Sequence, residues 1–254
     1  PSRTAIEALQ AGAVEVLGKP DGPYSVGELR SLLASKVRAA AASKVRRTEG
    51  DITAKPPQAP LPAPKPGVSM IAIGASTGGT EAIQEVLMHL PANSPPIVIV
   101  QHIPPVFSKA FADRLNGICP IEVKEAEDGD DVRAGRALIA PGGFHMQVRK
   151  SSPGYKVALN NSLPPVCYQR PAVDVLFQSV AENVGPKVVA AILTGMGSDG
   201  SQGMLKLKQA GARTVAQDET SCVVFGMPRE AIKLGGIDKV VPLQQVAGEI
   251  LRCG

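Results

Sequence analysis

Ser76 lies in the run Gly74-Ala75-Ser76-Thr77-Gly78-Gly79-Thr80, which follows the apolar segment Ser69-Met70-Ile71-Ala72-Ile73 and precedes Ala82, Ile83, Val86, Leu87 and Leu90 at helical spacing. A serine on a glycine-rich turn from strand to helix supports two chemistries. Read as G-x-S-x-G, the turn presents a nucleophilic hydroxyl, and the N–H groups and positive end of the following helix can meet a developing oxyanion. Read as a glycine loop, it cradles a phosphate. His102 follows Pro96-Ile97-Val98-Ile99-Val100 with only Gln101 between, and Asp199 follows Val188-Val189-Ala190-Ala191-Ile192-Leu193 in the run TGMGSDG. If these apolar runs are parallel strands, all three side chains emerge at one carboxyl edge, where open α/β proteins place their ligands. A relay is then possible in which His102 takes the proton of Ser76 while Asp199 orients and stabilises the imidazole. His145, in PGGFHM, also follows a strand pattern (136–140), so position alone does not choose between it and His102. His89, late in a helix ending at Pro91, suits the negative end of a helix dipole. The order Ser76, His102, Asp199 differs from the serine, acid, histidine order of the α/β-hydrolases and disfavours that fold.

The elements that must position these groups are legible as alternating apolar runs and helical patterns. Strands are expected at 69–73, 97–100, 137–140, 188–193 and 214–216, and helices at 80–90, 106–115, 173–181, 200–210 and 228–234. Strand-then-helix repetition with Val- and Ile-rich strands predicts an α/β fold: a doubly wound, mostly parallel sheet with helices on both faces. The stretch from 121–123 to Leu159, with its EDGDD turn, is expected to form a small antiparallel insertion.

Three regions are expected, at 1–47, 48–67 and 68–254. The run AKPPQAPLPAPKPG (54–67) has six prolines in fourteen residues and reads as an extended interdomain linker. Before it come a short helix (4–10), an apolar strand (13–17), Gly18-Lys19-Pro20 and a helix from about Ser25 to Arg47. So short a βα piece cannot close its own sheet.

At 254 residues with 44 % hydrophobic and 20 % charged residues, the chain is large enough for one substantial core with a smaller attachment. It carries no run of 18 apolar residues and no leader-like start, which predicts a cytoplasmic chain without membrane insertion. The formal charge of +4 falls on residues 1–67, with 10 Lys/Arg against 6 Asp/Glu, whereas 68–254 is neutral. Lys36, Arg38, Lys44, Arg46 and Arg47 therefore suit the end of a helix rather than a nucleic-acid face. With 3 % aromatic residues and no tryptophan, a base-stacking surface is poorly supplied, so no nucleic-acid partner is expected. Cys119, Cys167, Cys222 and Cys253 are far apart and lack metal-ligand spacing; they read as reduced thiols, and neither a metal nor a cofactor is expected.

Seven motifs carry a family resemblance: IGASTGGTEAI (73–83), QHIPP (101–105), EDGD (127–130), IAPGG-x-HM (139–146), RPAVDVLF (170–177), LTGMGSDG (193–200) and FGMPREAI (225–232). In this order they resemble the C-terminal catalytic domain of the bacterial chemotaxis protein-glutamate methylesterase family, CheB. The pattern from Ala5 to Pro20 resembles the last third of a response-regulator receiver domain, in which Lys19 is the lysine that contacts the phosphoryl group. The acidic pair and phospho-accepting aspartate of that domain would lie upstream, so the chain reads as a fragment of a longer regulator.

The resemblance implies Ser76 as nucleophile, His102 as general base and Asp199 as its partner, which favours His102 over His145. It sets Thr77 and Met196 against the reacting carbonyl, with the Thr77 backbone N–H and the neighbourhood of Met196 forming the oxyanion site. Arg170 is read as a cleft residue, with a pre-proline capping role as its alternative. The FGMP segment reads as cleft wall, and 125–131 as a solvated turn. The implied reaction is hydrolysis of glutamate γ-methyl esters on methyl-accepting chemotaxis receptors, with release of methanol and, in some members, deamidation of receptor glutamines. A histidine kinase would act through the intact receiver, which would cover the cleft until phosphorylated; the N-terminal remnant here is expected to be poorly ordered. Three alternatives stand beside this reading: the same chemistry in a surface-sensing or pilus pathway, a nucleotide-binding module built on 74–79, and a silent adaptor. The second lacks both a G-K-[ST] ending and a full G-x-G-x-x-G, and the intact triad argues against the third.

Overall fold

Strict alternation along the central strands builds two cores on one sheet. Ile71, Ile73 and Ala75 face one side and Met70 and Ala72 the other; Ile97 and Ile99 part from Val98 and Val100 in the same way, as do Val189 and Ala191 from Val188, Ala190 and Ile192. Side chains leave a strand on alternating faces, so a strand apolar at every position is covered on both. The computed structural model describes residues 67–252 and, before them, 4, 8, 11, 13–16, 33, 34, 36–41 and 43.

Seven parallel strands run in the order β3-β4-β2-β1-β7-β8-β9: β1 (Met70–Ala75), β2 (Ile97–Gln101), β3 (Glu122–Glu125), β4 (Arg136–Ile139), β7 (Val188–Ile192), β8 (Arg213–Gln217) and β9 (Lys239–Val241). On one face, helices α1 (Gly79–Met88), α2 (Pro105–Ile118) and α6 (Leu243–Arg252) pack Ile83, Leu87, Phe111, Leu115 and Ile250 against β1, β2 and β7. On the other, α3 (Val173–Asn183), α4 (Ser201–Gln209) and α5 (Met227–Lys233) supply Leu176, Phe177, Met204 and Met227, and the hairpin of β5 (His145–Ser151) and β6 (Gly154–Asn160) adds Met146, Val148 and Val157. The doubly wound architecture is thus the one expected. Strands to the left of β1 are reached through β2, and those to the right through β7, so the switch point of the sheet lies between β1 and β7.

Two expectations are corrected. The antiparallel insertion is confined to β5 and β6, because β3 pairs parallel with β4 and belongs to the main sheet. As an edge strand β3 buries only Val123 among Glu122, Lys124 and Glu125, which gives it the alternating pattern of a half-solvated strand. The strand expected at 13–17 is not formed by its described residues, 13–16, which enter no ladder; extended backbone needs a neighbouring strand to satisfy its N–H and C=O groups. Described residues 33, 34 and 36–41 are helical, as expected. Lys19, Cys253 and all of the proline run except Gly67 lie outside the described residues.

Phe177 is fully buried in the second core, and a Cβ added at Gly203 would stand 2.5 Å from its Cβ, so α3 and α4 meet closely there. We expect Phe177→Ala to destabilise the domain by about 3–5 kcal/mol. Urea unfolding should show a lowered midpoint at an unchanged slope.

Candidate active site

The register of β1 against β2 pairs Ala75 with Gln101, so the next residues, Ser76 and His102, leave the sheet side by side. Backbone bonds continue the ladder past the strand ends: His102 N–H donates to Ala75 O at 3.1 Å and Ser76 N–H to Thr194 O at 3.0 Å. Gly78, with φ 75°, makes the left-handed turn into α1, a conformation that costs glycine little. Ser76 itself stays out of the left-handed region, which among described non-glycine residues holds Cys167 and Tyr168. Its hydroxyl is therefore presented without a strained elbow.

Two neighbouring strand ends clamp this turn. Gln101 Nε2 donates to Ser76 O at 2.9 Å and to His102 O at 3.2 Å. Thr194 Oγ1 donates to Thr77 O at 2.9 Å, while Thr194 N–H donates to Gln217 Oε1 at 2.8 Å. A Cβ at Gly79 would fall 2.1 Å from Gln101 Oε1, so only a bare Cα admits this amide.

The three expected residues meet. Ser76 Oγ lies 3.1 Å from His102 Nδ1, and His102 Nε2 lies 2.7 Å from Asp199 Oδ2. A carboxylate only accepts, so Nε2 carries the proton and Nδ1 is the lone-pair nitrogen turned to the hydroxyl. Asp199, 1 % exposed, also accepts from the backbone N–H of Val173 (2.7 Å, Oδ2) and Asp174 (2.9 Å, Oδ1) at the start of α3. Free amides and the positive end of a helix favour a negative charge there.

The rival histidines are occupied elsewhere. His145 begins the separate hairpin; its Nδ1 accepts from Ala172 N–H at 3.2 Å, which leaves Nε2 to donate to Pro164 O at 3.1 Å. Burial pushes its pKa below the usual imidazole value and favours the neutral ring. His89 follows α1, with Nδ1 2.7 Å from Glu85 O.

Thr77 is buried directly after Ser76, and Met196 lines an open cleft of about 630 Å³ beside it, together with Ser198, Glu219, Val223, Phe225 and Arg229. Of the FGMP segment, Phe225 and Gly226 line the cleft, whereas Met227 is buried in the second core; Gly195 bridges to Phe225, and a Cβ at Gly195 would stand 2.7 Å from that of Ser76. Arg170 Nη1 instead donates to Asn161 O (2.6 Å) and Leu163 O (3.3 Å), folding its own loop back on itself. The acidic turn is bridged by Lys124 to Glu127 and Asp130 at its solvated surface. Thr77 Oγ1 donates to Glu15 Oε2 at 3.1 Å, and Lys36 pairs with Glu15 at 2.9 Å, so described N-terminal residues lie against the turn that carries Ser76.

The sequence reading assigned nothing to Asp174, Gln101, Thr194 or Gln217. The available signal was a glutamine closing a buried strand, as in IVIVQ and RTVAQ, and an acid among apolar residues in the first turn of a helix, as in VDVLF.

Fold and site together define a class: open α/β proteins with a hydroxyl, an imidazole and a carboxylate in hydrogen-bonding sequence at the carboxyl edge of the sheet. A profile of the CheB methylesterase family matches residues 71–250. The chain is similar to a protein-glutamate methylesterase/protein-glutamine glutaminase of Pectobacterium atrosepticum, 51 % identical over 98 % of this chain and 71 % of that protein. A protein of that name in Syntrophus aciditrophicus, numbered 2, is 48 % identical over 98 % of this chain and 73 % of its own. The crystal structure of the Thermotoga maritima CheB methylesterase catalytic domain superposes with a TM-score of 0.71 at 40 % identity, covering 73 % of this chain and 98 % of that one. The chain belongs to the CheB methylesterase family.

Burial raises the Asp174 carboxyl from 3.8 to about 6, opposed by the Gly203 amide and reinforced by the charge of Asp199. A carboxyl raised in the folded state gives stability that is full below its unfolded pKa and lost as pH rises through the folded one. Between about pH 7 and pH 4, wild type should therefore gain stability relative to Asp174→Asn, measured by urea unfolding at each pH; a constant difference would contradict the raised value.

Proposed function

We propose that Ser76, His102 and Asp199 hydrolyse glutamate γ-methyl esters on chemotaxis receptors, the activity named for the relatives. The observation that carries this reading is the imidazole of His102, set 3.1 Å from the hydroxyl and 2.7 Å from the buried carboxylate. Ser76 Oγ bonds to the ester carbonyl carbon as its proton passes to His102 Nδ1, and the carbonyl oxygen takes the negative charge. The Thr77 N–H, at the start of α1, and the loop at Met196 face that oxyanion. Collapse breaks the bond to methoxide, which leaves as methanol with the proton from Nδ1 and gives an acyl-enzyme. Water then attacks, its proton passing to Nδ1 and on to the departing Ser76 oxygen, and a glutamate side chain is released. With a glutamine amide, the same steps expel ammonia.

Arg170 contributes to substrate binding by fixing the 161–170 loop, and Met196 by lining the cleft. Residues 1–47 are the end of a receiver domain, joined through 48–67 to the catalytic domain at 68–254; in a longer parent, a histidine kinase acts through that receiver. No helix among the described residues is long and apolar enough to cross a membrane. The reaction takes place in the cytoplasm on the receptors' helical segments.

Methanol release from methylated receptor membranes tests the reading. Ser76→Ala should abolish it while leaving the unfolding transition in place; activity surviving that change would remove the nucleophile. Asp199→Asn should lower turnover by about 10⁴, since its amide would lose the imidazole's tautomeric partner and oppose an NH₂ to backbone N–H donors.

A further inference from the structure

We propose that Asp174 is a positioning residue of the catalytic triad: its carboxyl, bonded to the first amides of the helix that follows Asp199, fixes where the Asp199 carboxylate stands behind His102. The proposal rests on the triad reading given above. Two segments exchange carboxylates here. Asp199, on the approach to α4, accepts from the Val173 and Asp174 amides that open α3. Asp174, in the first turn of α3, accepts the Gly203 amide of α4 at 2.7 Å, and the Gly200 and Gln202 amides also bond to it. Neither helix caps itself, since the N-cap residues are Ala172 and Gly200. Each start has N–H groups that need an acceptor, and each receives it from the other helix.

This exchange does more than cap. A serine or asparagine satisfies helix amides without setting a second negative charge beside Asp199; a carboxylate adds that repulsion but offers two acceptor oxygens and no donor, so it cannot turn round. Asp174 is 6 % exposed, and the glycines let the helices come close enough for the exchange. A Cβ at Gly200 would meet Val173 Cγ1 at 2.7 Å, and one at Gly203 would meet Phe177 Cβ at 2.5 Å. The side chain of Asp174 reaches the reaction only through Asp199: a shift of the α4 start carries the adjoining Asp199 with it and changes the bond to His102 Nε2.

The test reads that bond directly. The proton on His102 Nε2, held by a carboxylate, gives a low-field proton magnetic resonance, assigned by its loss in His102→Gln. Asp174→Asn keeps the side-chain size and one oxygen but turns an NH₂ toward the remaining amides. It should shift or broaden that resonance and lower kcat for methanol release by about 10- to 100-fold with KM nearly unchanged. Asp174→Glu, which keeps the charge and displaces it by one methylene, should shift the resonance and kcat in the same sense if the asparagine variant does not fold. Asp238→Asn is the structural control. Its carboxylate accepts from the Thr214 amide and hydroxyl at the start of β8, so the change should cost stability and leave the resonance and kcat in place. Wild-type resonance and kcat in folded Asp174 variants would overturn the proposal. A resonance that responds in a chain releasing no methanol would support the positioning role and overturn only the hydrolytic reading.

Discussion

The carboxylate of Asp199 stands between an imidazole and two backbone amides, all within 2.9 Å, in a place nearly closed to water. A negative charge buried without partners would be protonated or expelled; here three donors and the start of a helix hold it. That arrangement fixes the tautomer of His102, which in turn leaves a lone pair on the nitrogen facing Ser76. The chemistry of the hydroxyl therefore depends on how α3 meets the loop after β7. Charge-assisted bonds in a low-dielectric setting are the strong ones, so this contact dominates the weaker ones around it.

Around the carboxylate is a frame of neutral polar groups at the ends of the strands. Gln101 closes β2 and Gln217 closes β8, and both are buried. One amide ties together the backbones of Ser76 and His102; the other takes the N–H of Thr194, whose hydroxyl reaches Thr77. The carboxyl ends of parallel strands leave C=O and N–H groups without ladder partners, and where these are buried, side chains have to supply them. The frame thus meets backbone groups of Ser76, Thr77, His102 and Thr194 and stiffens the turn that carries Ser76.

Much of this was readable from residue order. Continuous apolar runs at 69–73 and 97–100, each followed by a helical pattern, gave buried parallel strands, and with them one edge for Ser76, His102 and Asp199. The choice between His102 and His145 was not local: both follow apolar runs, and only the tertiary placement of the β5–β6 hairpin takes His145 away. β3 resembled an antiparallel strand because an edge position leaves half its residues in solvent. Asp174 escaped notice for a related reason. Its partners lie 25 to 29 residues away, and neither helical periodicity nor turn chemistry records such a contact.

Ser76, His102 and Asp199 come from the ends of β1, β2 and the loop after β7, separated by 26 and 97 residues along the chain. A ribosome delivers the serine and the histidine long before the acid. Until the later part has emerged and β7 has slotted beside β1, the imidazole lacks the anion that fixes its tautomer, and the hydroxyl stays an ordinary alcohol. Completion of the sheet is thus what brings the carboxylate of Asp199 up to the imidazole of His102.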